Sequence, residues 1–192
     1  MLPVEIRTAR LLLDLPVPAD ADDVTRFCQD PLFQRYLTTP WPYTRAHAES
    51  FLTTYVPSGW ASASELTWAI RAEHGGPLLG VVSVRETQNE IGFWMGSEHR
   101  GHGLMSEAAA AVCDWVLAGG IDGASTVFWR AVEGNTASAK VARSAGFRRI
   151  EPADATVPTR DGSTLPAWYG VREAEIDPRA EASWSGILEG AA

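Results

Sequence analysis

The residues of this chain best suited to chemistry are an arginine and two glycines, Arg100-Gly101-His102-Gly103, where a strand pattern gives way to a helical one. The head of a helix carries backbone N–H groups without internal partners, and its dipole favours an anion there. Gly101 and Gly103 allow dihedrals closed to other residues and remove side chains that would hold an anion off. Arg100 adds a permanent charge with several donors, and Ser106 offers a hydroxyl in the first helical turn. Together they predict a cradle for a pyrophosphate. A bare Gly-x-Gly also makes ordinary turns, so its context matters. Two rival nucleotide loops are missing: no G-x-G-x-x-G stands at the first strand-to-helix turn, and no Lys-Ser/Thr pair follows the glycines.

Other residues have less specific readings. Asn135 precedes a short helical pattern as an N-cap would, and Ser138, at its third position, can satisfy the helix end. Glu90 follows a turn and opens a strand. Tyr36, Trp41, Tyr43 and Trp60 crowd the region around two N-terminal helices. That density predicts a pocket wall, or alternatively packing beneath a loop. His99 and His102 read as phosphate neighbours, and His47 and His74 as surface residues. Cys28 and Cys113 have no second ligand at metal spacing. They read as small core residues, and no metal is expected.

The elements that must position these groups follow from periodicity and punctuation. Arg10–Leu15 reads as a strand, and Ala19–Gln29 as a helix with acidic residues in its first turn and Pro31 as its stop. Thr44–Tyr55 is a second helix with Thr44 as N-cap. Leu66–Ala72, Leu78–Arg85 and Glu90–Met95 are strands joined by short turns, an antiparallel meander. Leu104–Ala118 is an Ala-rich helix stopped by Gly119-Gly120. Thr126–Ala131, Phe147–Glu151 and Leu165–Arg172 are strands, and Asn135–Ala145 is a short helix between the first two. This order predicts an α/β (α+β) domain, a mixed sheet with helices on both faces. It spans 1–172 and is followed by a polar tail, 173–192, with Trp184 and Ile187-Leu188 as isolated apolar points.

Composition narrows the partners. With 45% hydrophobic and 21% charged residues, the 192-residue chain has the make-up of one globular domain. Its formal charge of −8 disfavours nucleic acid. The same charge suits amines or basic peptides, and means that a polyanionic ligand requires a dedicated local site. No apolar stretch reaches membrane-spanning length and no leader pattern opens the chain, so no membrane partner and a cytoplasmic location are expected.

Five stretches in order resemble the GNAT superfamily of acyl-CoA N-acyltransferases. They are Thr8-Ala9-Arg10-Leu11-Leu12-Leu13, Gly80-Val81-Val82, Arg100 to Ala108 after Glu90 to Met95, Asn135-Thr136-Ala137-Ser138, and Ala145-Gly146-Phe147. The similarity is to the branch of the ribosomal-protein N-terminal alanine acetyltransferases, and it runs from about Thr8 to Val171. It implies the GNAT fold, a mostly antiparallel sheet of six to seven strands, in a monomer or homodimer. It also implies acetyl-CoA as cosubstrate and direct attack by a primary amine, either a small molecule or a peptide or protein N-terminus. Transfer of a larger acyl group such as succinyl, or acyl-CoA binding without turnover, is the alternative. On this resemblance Phe93, Trp94 and Met95 line a slot opened by a bulge in their strand, and a free N–H of Trp94 or Met95 polarises the thioester. Arg100, Gly101, His102, Gly103, Leu104, Met105 and Ser106 hold the pyrophosphate. Asn135 hydrogen-bonds the pantetheine or a water, Ser138 protonates the departing thiolate and Glu90 is a candidate base. Glu107 reads as structural. Tyr36, Trp41, Tyr43 and Trp60 fall where the family binds its acceptor. Glu98 departs from the family's usual Gln or Arg at the head of the loop.

Overall fold

A computed structural model of the chain describes residues 1–188. Its frame is a nine-stranded sheet. In spatial order the strands are β1 (Ile6–Arg7), β2 (Leu12–Asp14), β3 (Glu65–Arg71), β4 (Gly80–Arg85), β5 (Glu90–Met95), β6 (Thr126–Val132), β9 (Thr164–Glu173) and β7 (Arg148–Ile150). A short β8 (Thr156–Pro158) also pairs with β9. Every neighbouring pair is antiparallel except β5 and β6, which run parallel. That one parallel contact follows from connectivity, because α5 (Leu104–Trp115) crosses over between the two strands.

The helices begin where local chemistry can satisfy their ends. Asp30 accepts the Leu32 amide at 2.9 Å, and Pro31 occupies the first helical position, so α2 (Pro31–Tyr36) starts there. Pro31 therefore opens a helix as well as following α1 (Ala21–Phe27). Thr44 caps α3 (Arg45–Ser50) through the His47 amide. The rod does not end at Tyr55. It passes through a π-helical turn, Phe51–Tyr55, into α4 (Val56–Ser62), with Pro57 just beyond the turn. Proline donates no N–H and crowds the preceding turn, and a π-turn is one way a helix accommodates it.

Two apolar layers flank the sheet. On one face α5 and α6 (Thr136–Ser144) pack Ala108, Val112, Ala139 and Ala142 against Val82, Val84, Ile91 and Trp129. On the other, Val24, Phe27, Phe33 and Leu52 cover Ala69 and Val81. Burial of each large apolar side chain contributes about 1.5–3 kcal/mol, so these layers carry most of the fold's stability. The sheet exceeds six to seven strands because β1 and β8, of two and three residues, are too short to leave a periodic signal. Among the described residues, no helix is long and apolar enough to cross a membrane.

Beyond β9 the chain returns to the domain. Trp184 is 1% exposed, and its indole donates to the Phe147 carbonyl at 2.8 Å. Glu181 pairs with Arg143 on α6. The last four residues of the polar tail lie outside the described residues.

Candidate functional site

A cleft of 860 Å³ opens where β5 and β6 part. Among the described residues, the two strands pair only through Glu90↔Phe128 and Ile91↔Trp129, and from Gly92 onward β5 has no partner on that side. No bulge produces the opening: the β4–β5 register is unbroken from Arg85↔Glu90 to Gly80↔Met95. The Gly96 amide donates to Leu79 on the β4 side, and the Asn89 carbonyl accepts from Phe128 on the β6 side. Strand residues alternate in the side to which their polar groups point. Along β5 the even-numbered residues therefore pair with β4, and the odd-numbered ones face the slot. Phe93 and Met95 thus present N–H groups to it. The Trp94 N–H is turned to β4 instead, and its ring packs edge-on to Phe27 and Phe33.

β5 leads through a 3₁₀ turn, Ser97–His99, into the glycine loop at the head of α5. Gly101 and Gly103 have φ of +83° and +73°, in the left-handed region that only glycine enters freely. The first helical bond runs from the Glu107 amide to the Gly103 carbonyl. Among the described residues, no protein acceptor meets the backbone N–H groups from Gly101 through Ser106. Six consecutive amides without a protein acceptor at a helix head form a polar cradle suited to an anion. The cleft also gathers Arg85, Arg100, Arg130 and Lys140 against one carboxylate, Glu90.

Several loop side chains are used otherwise than their sequence suggests. The Arg100 guanidinium donates to the Met95 carbonyl at 3.0 Å and pairs with Asp30 at 2.7 Å, so part of its charge ties the loop to α2. The His102 side chain is exposed and off the cleft, leaving its backbone as the part that meets the cradle. The His99 ring stands edge-on to Phe27. Glu98 points outward to Arg26, which holds its carboxyl below the usual range. Glu107 accepts from Thr8 at 2.5 Å and from Arg10 at 2.6 Å, while Arg10 also donates to the His102 carbonyl. Burial alone would raise the Glu107 carboxyl, but these donors outweigh it and hold it below its ordinary value. The carboxylate thus pins the N-terminal turn to the glycine loop.

Across the slot Asn135 caps α6 by accepting the Ser138 amide at 3.2 Å. The Ser138 hydroxyl takes no part in that cap and accepts instead from the Trp129 indole at 3.1 Å. Both Asn135 and Ser138 line the cleft. Glu90 lies at the apex, where the strands still pair. Its Oε1 accepts from Arg85 at 2.8 Å, and its Oε2 lies 2.7 Å from Arg130 Nε.

The opposite wall is formed by α2 and β8. Leu32, Phe33, Tyr36, Leu37 and Thr38 face Val157 and Pro158. Of the four aromatic residues expected there, only Tyr36 lines the cleft, and its hydroxyl donates to the Gly134 carbonyl at 3.3 Å. Trp60 is fully buried, bonded to the Thr67 carbonyl and set edge-on to Trp68. Tyr43 is buried beside Cys28, and burial raises both groups, the thiol to about 12. Trp41 packs half-buried against the same cluster. Trp60 is a core residue because α4 turns it to the sheet, and Tyr43 and Trp41 pack from the segment between α2 and α3 against the cluster over Ala69 and Val81. The wall that replaces them had a signal in Asp30-Pro31, an N-cap followed by proline.

Comparison with known proteins bears on this arrangement. No curated protein sequence matches the chain. Among solved structures, the ribosomal-protein-S5-alanine acetyltransferase of Vibrio fischeri superposes with a TM-score of 0.70 at 16% identity, covering 91% of this chain and 100% of that one. A GNAT acetyltransferase from Bacillus anthracis gives 0.74 at 17% identity, covering 89% and 99%. The microcin C7 self-immunity acetyltransferase MccE, solved with acetyl-CoA and AMP, gives 0.72 at 16% identity, covering 86% and 93%. Such identities establish a common fold. Residues 10–148, from ahead of β2 to the start of β7 and including the whole glycine loop, match the acetyltransferase (GNAT) domain, and the chain belongs to that family of acetyltransferases.

Proposed function

We propose that the chain transfers an acetyl group from acetyl-CoA to a primary amine, either a small molecule or a peptide N-terminus, by direct attack. One observation carries this reading: six unpaired amides, Gly101 to Ser106, lie beside a strand edge that has lost its partner. The amides and the basic lining suit the pyrophosphate of a polyanion that the acidic surface would otherwise repel. The free edge of β5 suits an amide-bearing chain such as pantetheine.

Acetyl-CoA supplies an activated acetyl thioester; the rest is orientation and proton handling by the chain. The N–H of Phe93 or Met95 is turned to where it can polarise a carbonyl in the slot. Asn135 holds the head of α6, and the Ser138 hydroxyl is the proton donor for the departing sulfur. Both Glu90 oxygens are held by arginines, so the amine's proton passes to water. The acceptor enters between α2 and β8, against an apolar wall with Tyr36 at its side.

Thiol release from acetyl-CoA, measured against a panel of amines and N-terminal peptides with succinyl-CoA in parallel, tests the reading. Gly103→Val is the matched control, because a β-branched residue is strained at φ near +73° although nothing lies closer to the added Cβ than Arg10 at 3.7 Å. It should abolish acetyl-CoA binding in calorimetry while the far-UV spectrum is kept. Unchanged affinity would remove the cradle assignment, and thiol release from succinyl-CoA alone would change the donor.

A further inference from the structure

Trp60, Trp68, Trp129 and Trp184 are fully buried, and a buried indole N–H needs an acceptor. Three of the four use backbone carbonyls: Trp60 that of Thr67, Trp68 that of Val4 and Trp184 that of Phe147. Trp129 differs from the other three in donating to a side chain, the hydroxyl of Ser138, at 3.1 Å. That hydroxyl lines the cleft, and Trp129 is on the last residue pair before β5 and β6 separate.

We propose that Trp129 is a positioning residue for the transfer, its indole N–H fixing the Ser138 hydroxyl as a donor aimed into the slot. The inference rests on the acetyl-transfer reading of the site. A serine hydroxyl has one proton and two lone pairs, and an indole N–H can only donate. Trp129 therefore occupies a lone pair and cannot take the proton. The open groups at the helix head cannot take it either, because they are N–H donors, and Asn135 spends its side-chain oxygen on the Ser138 amide. Among the described residues no protein group accepts from the Ser138 hydroxyl. Its proton is left for the cleft. In the transfer the amine nitrogen forms the new C–N bond and loses a proton to water. The C–S bond breaks with its electron pair on sulfur. The sulfur takes up a proton through the Ser138 hydroxyl, which regains one from water. Without the indole, the hydroxyl is free to rotate and spends part of its time pointing away.

The test removes the N–H and keeps the ring. Replacing Trp129 by 3-benzothienylalanine does this with little change in volume, and Trp129→Phe is the simpler companion. The analogue should lower kcat about five-fold, the worth of one oriented hydrogen bond, with acceptor KM and acetyl-CoA affinity unchanged. In a Ser138→Ala background, itself slower by about ten-fold or more, the same replacement should cost nothing further. The wild-type Trp129 indole proton should also exchange slowly in NMR, and faster once Ser138 is alanine. An equal loss in both backgrounds, or no loss in either, overturns the inference while leaving acetyl transfer standing. A wild-type chain that releases no thiol with any amine overturns the functional reading, and the exchange rates then still report whether the bond exists.

Discussion

Glu90 sits at the apex of the slot, where a base would be useful, yet each of its oxygens is held by an arginine. A carboxylate held on both sides closes a network and is poorly placed to collect a proton. Arg85 is further engaged with Glu65, which also accepts from Ser83 and Tyr55, so with Arg130 the network crosses four strands, β3 to β6. Glu90→Gln should therefore cost stability, about 1.5–3 kcal/mol for hydrogen bonds to a charged group, and leave kcat within a few-fold. Chemical denaturation and steady-state kinetics on the same preparation check it. A large fall in kcat at unchanged stability would restore Glu90 as the base.

Among the elements, α2 depends on tethers to its neighbours. Six residues are too few for a helix to stand alone, so neighbours must hold it. Arg100 ties its N-cap residue Asp30 to the glycine loop, and Tyr36 ties its face to the loop ahead of α6. At the other end Arg160, from the β8–β9 turn, donates to the Leu37 carbonyl at 2.7 Å, the Thr39 carbonyl at 2.6 Å and the Phe33 carbonyl at 3.3 Å. A guanidinium with several donors at a helix C-terminus satisfies free carbonyls and complements the dipole. It also joins the two halves of the cleft wall proposed to meet the acceptor. Arg160→Ala should raise the acceptor KM roughly three- to ten-fold, the equivalent of losing a cap of about 1 kcal/mol, with acetyl-CoA affinity kept. Lysine should rescue poorly, since one ammonium cannot span three carbonyls. Unaltered acceptor kinetics would place acceptor binding elsewhere.

Over the whole molecule, charge and packing are distributed unevenly, and both matter. The chain carries a formal charge of −8, but its cleft gathers four cationic side chains against one carboxylate. Field lines converge there, which favours a polyanionic ligand at that one place and amines over the rest of the surface. The segment after β9 contributes to the main core, where Trp184 stands 5.6 Å from Trp129 between ring centroids. Trp184→Ala should cost about 3–5 kcal/mol and lower Tm on the order of 10 °C. A calorimetric scan that left Tm in place would show that the returning segment is dispensable.

The sequence by itself determined the layered order of strands and helices, because hydrophobic period, caps and glycine stops are local properties. It also determined the cradle, since two glycines between a strand and a helix need no distant residue to leave amides free. Asn135 as a cap was legible for the same reason. Only the tertiary structure decided which side chains share the cleft. Trp41, Tyr43 and Trp60 read as pocket residues until the sheet took up their rings, and Leu32, Leu37 and Val157 gained their role from the placement of α2 and β8 around one cleft. Arg100 and Glu90 are charges whose availability depends on partners far along the chain, Asp30 for one and Arg130 for the other. The slot also depends on tertiary structure. β5 keeps an unbroken register with β4, and only the point at which β6 leaves it turns the N–H groups of Phe93 and Met95 into free donors. Local patterns fix what a segment becomes; which of its groups remain unpaired depends on the segments that pack beside it.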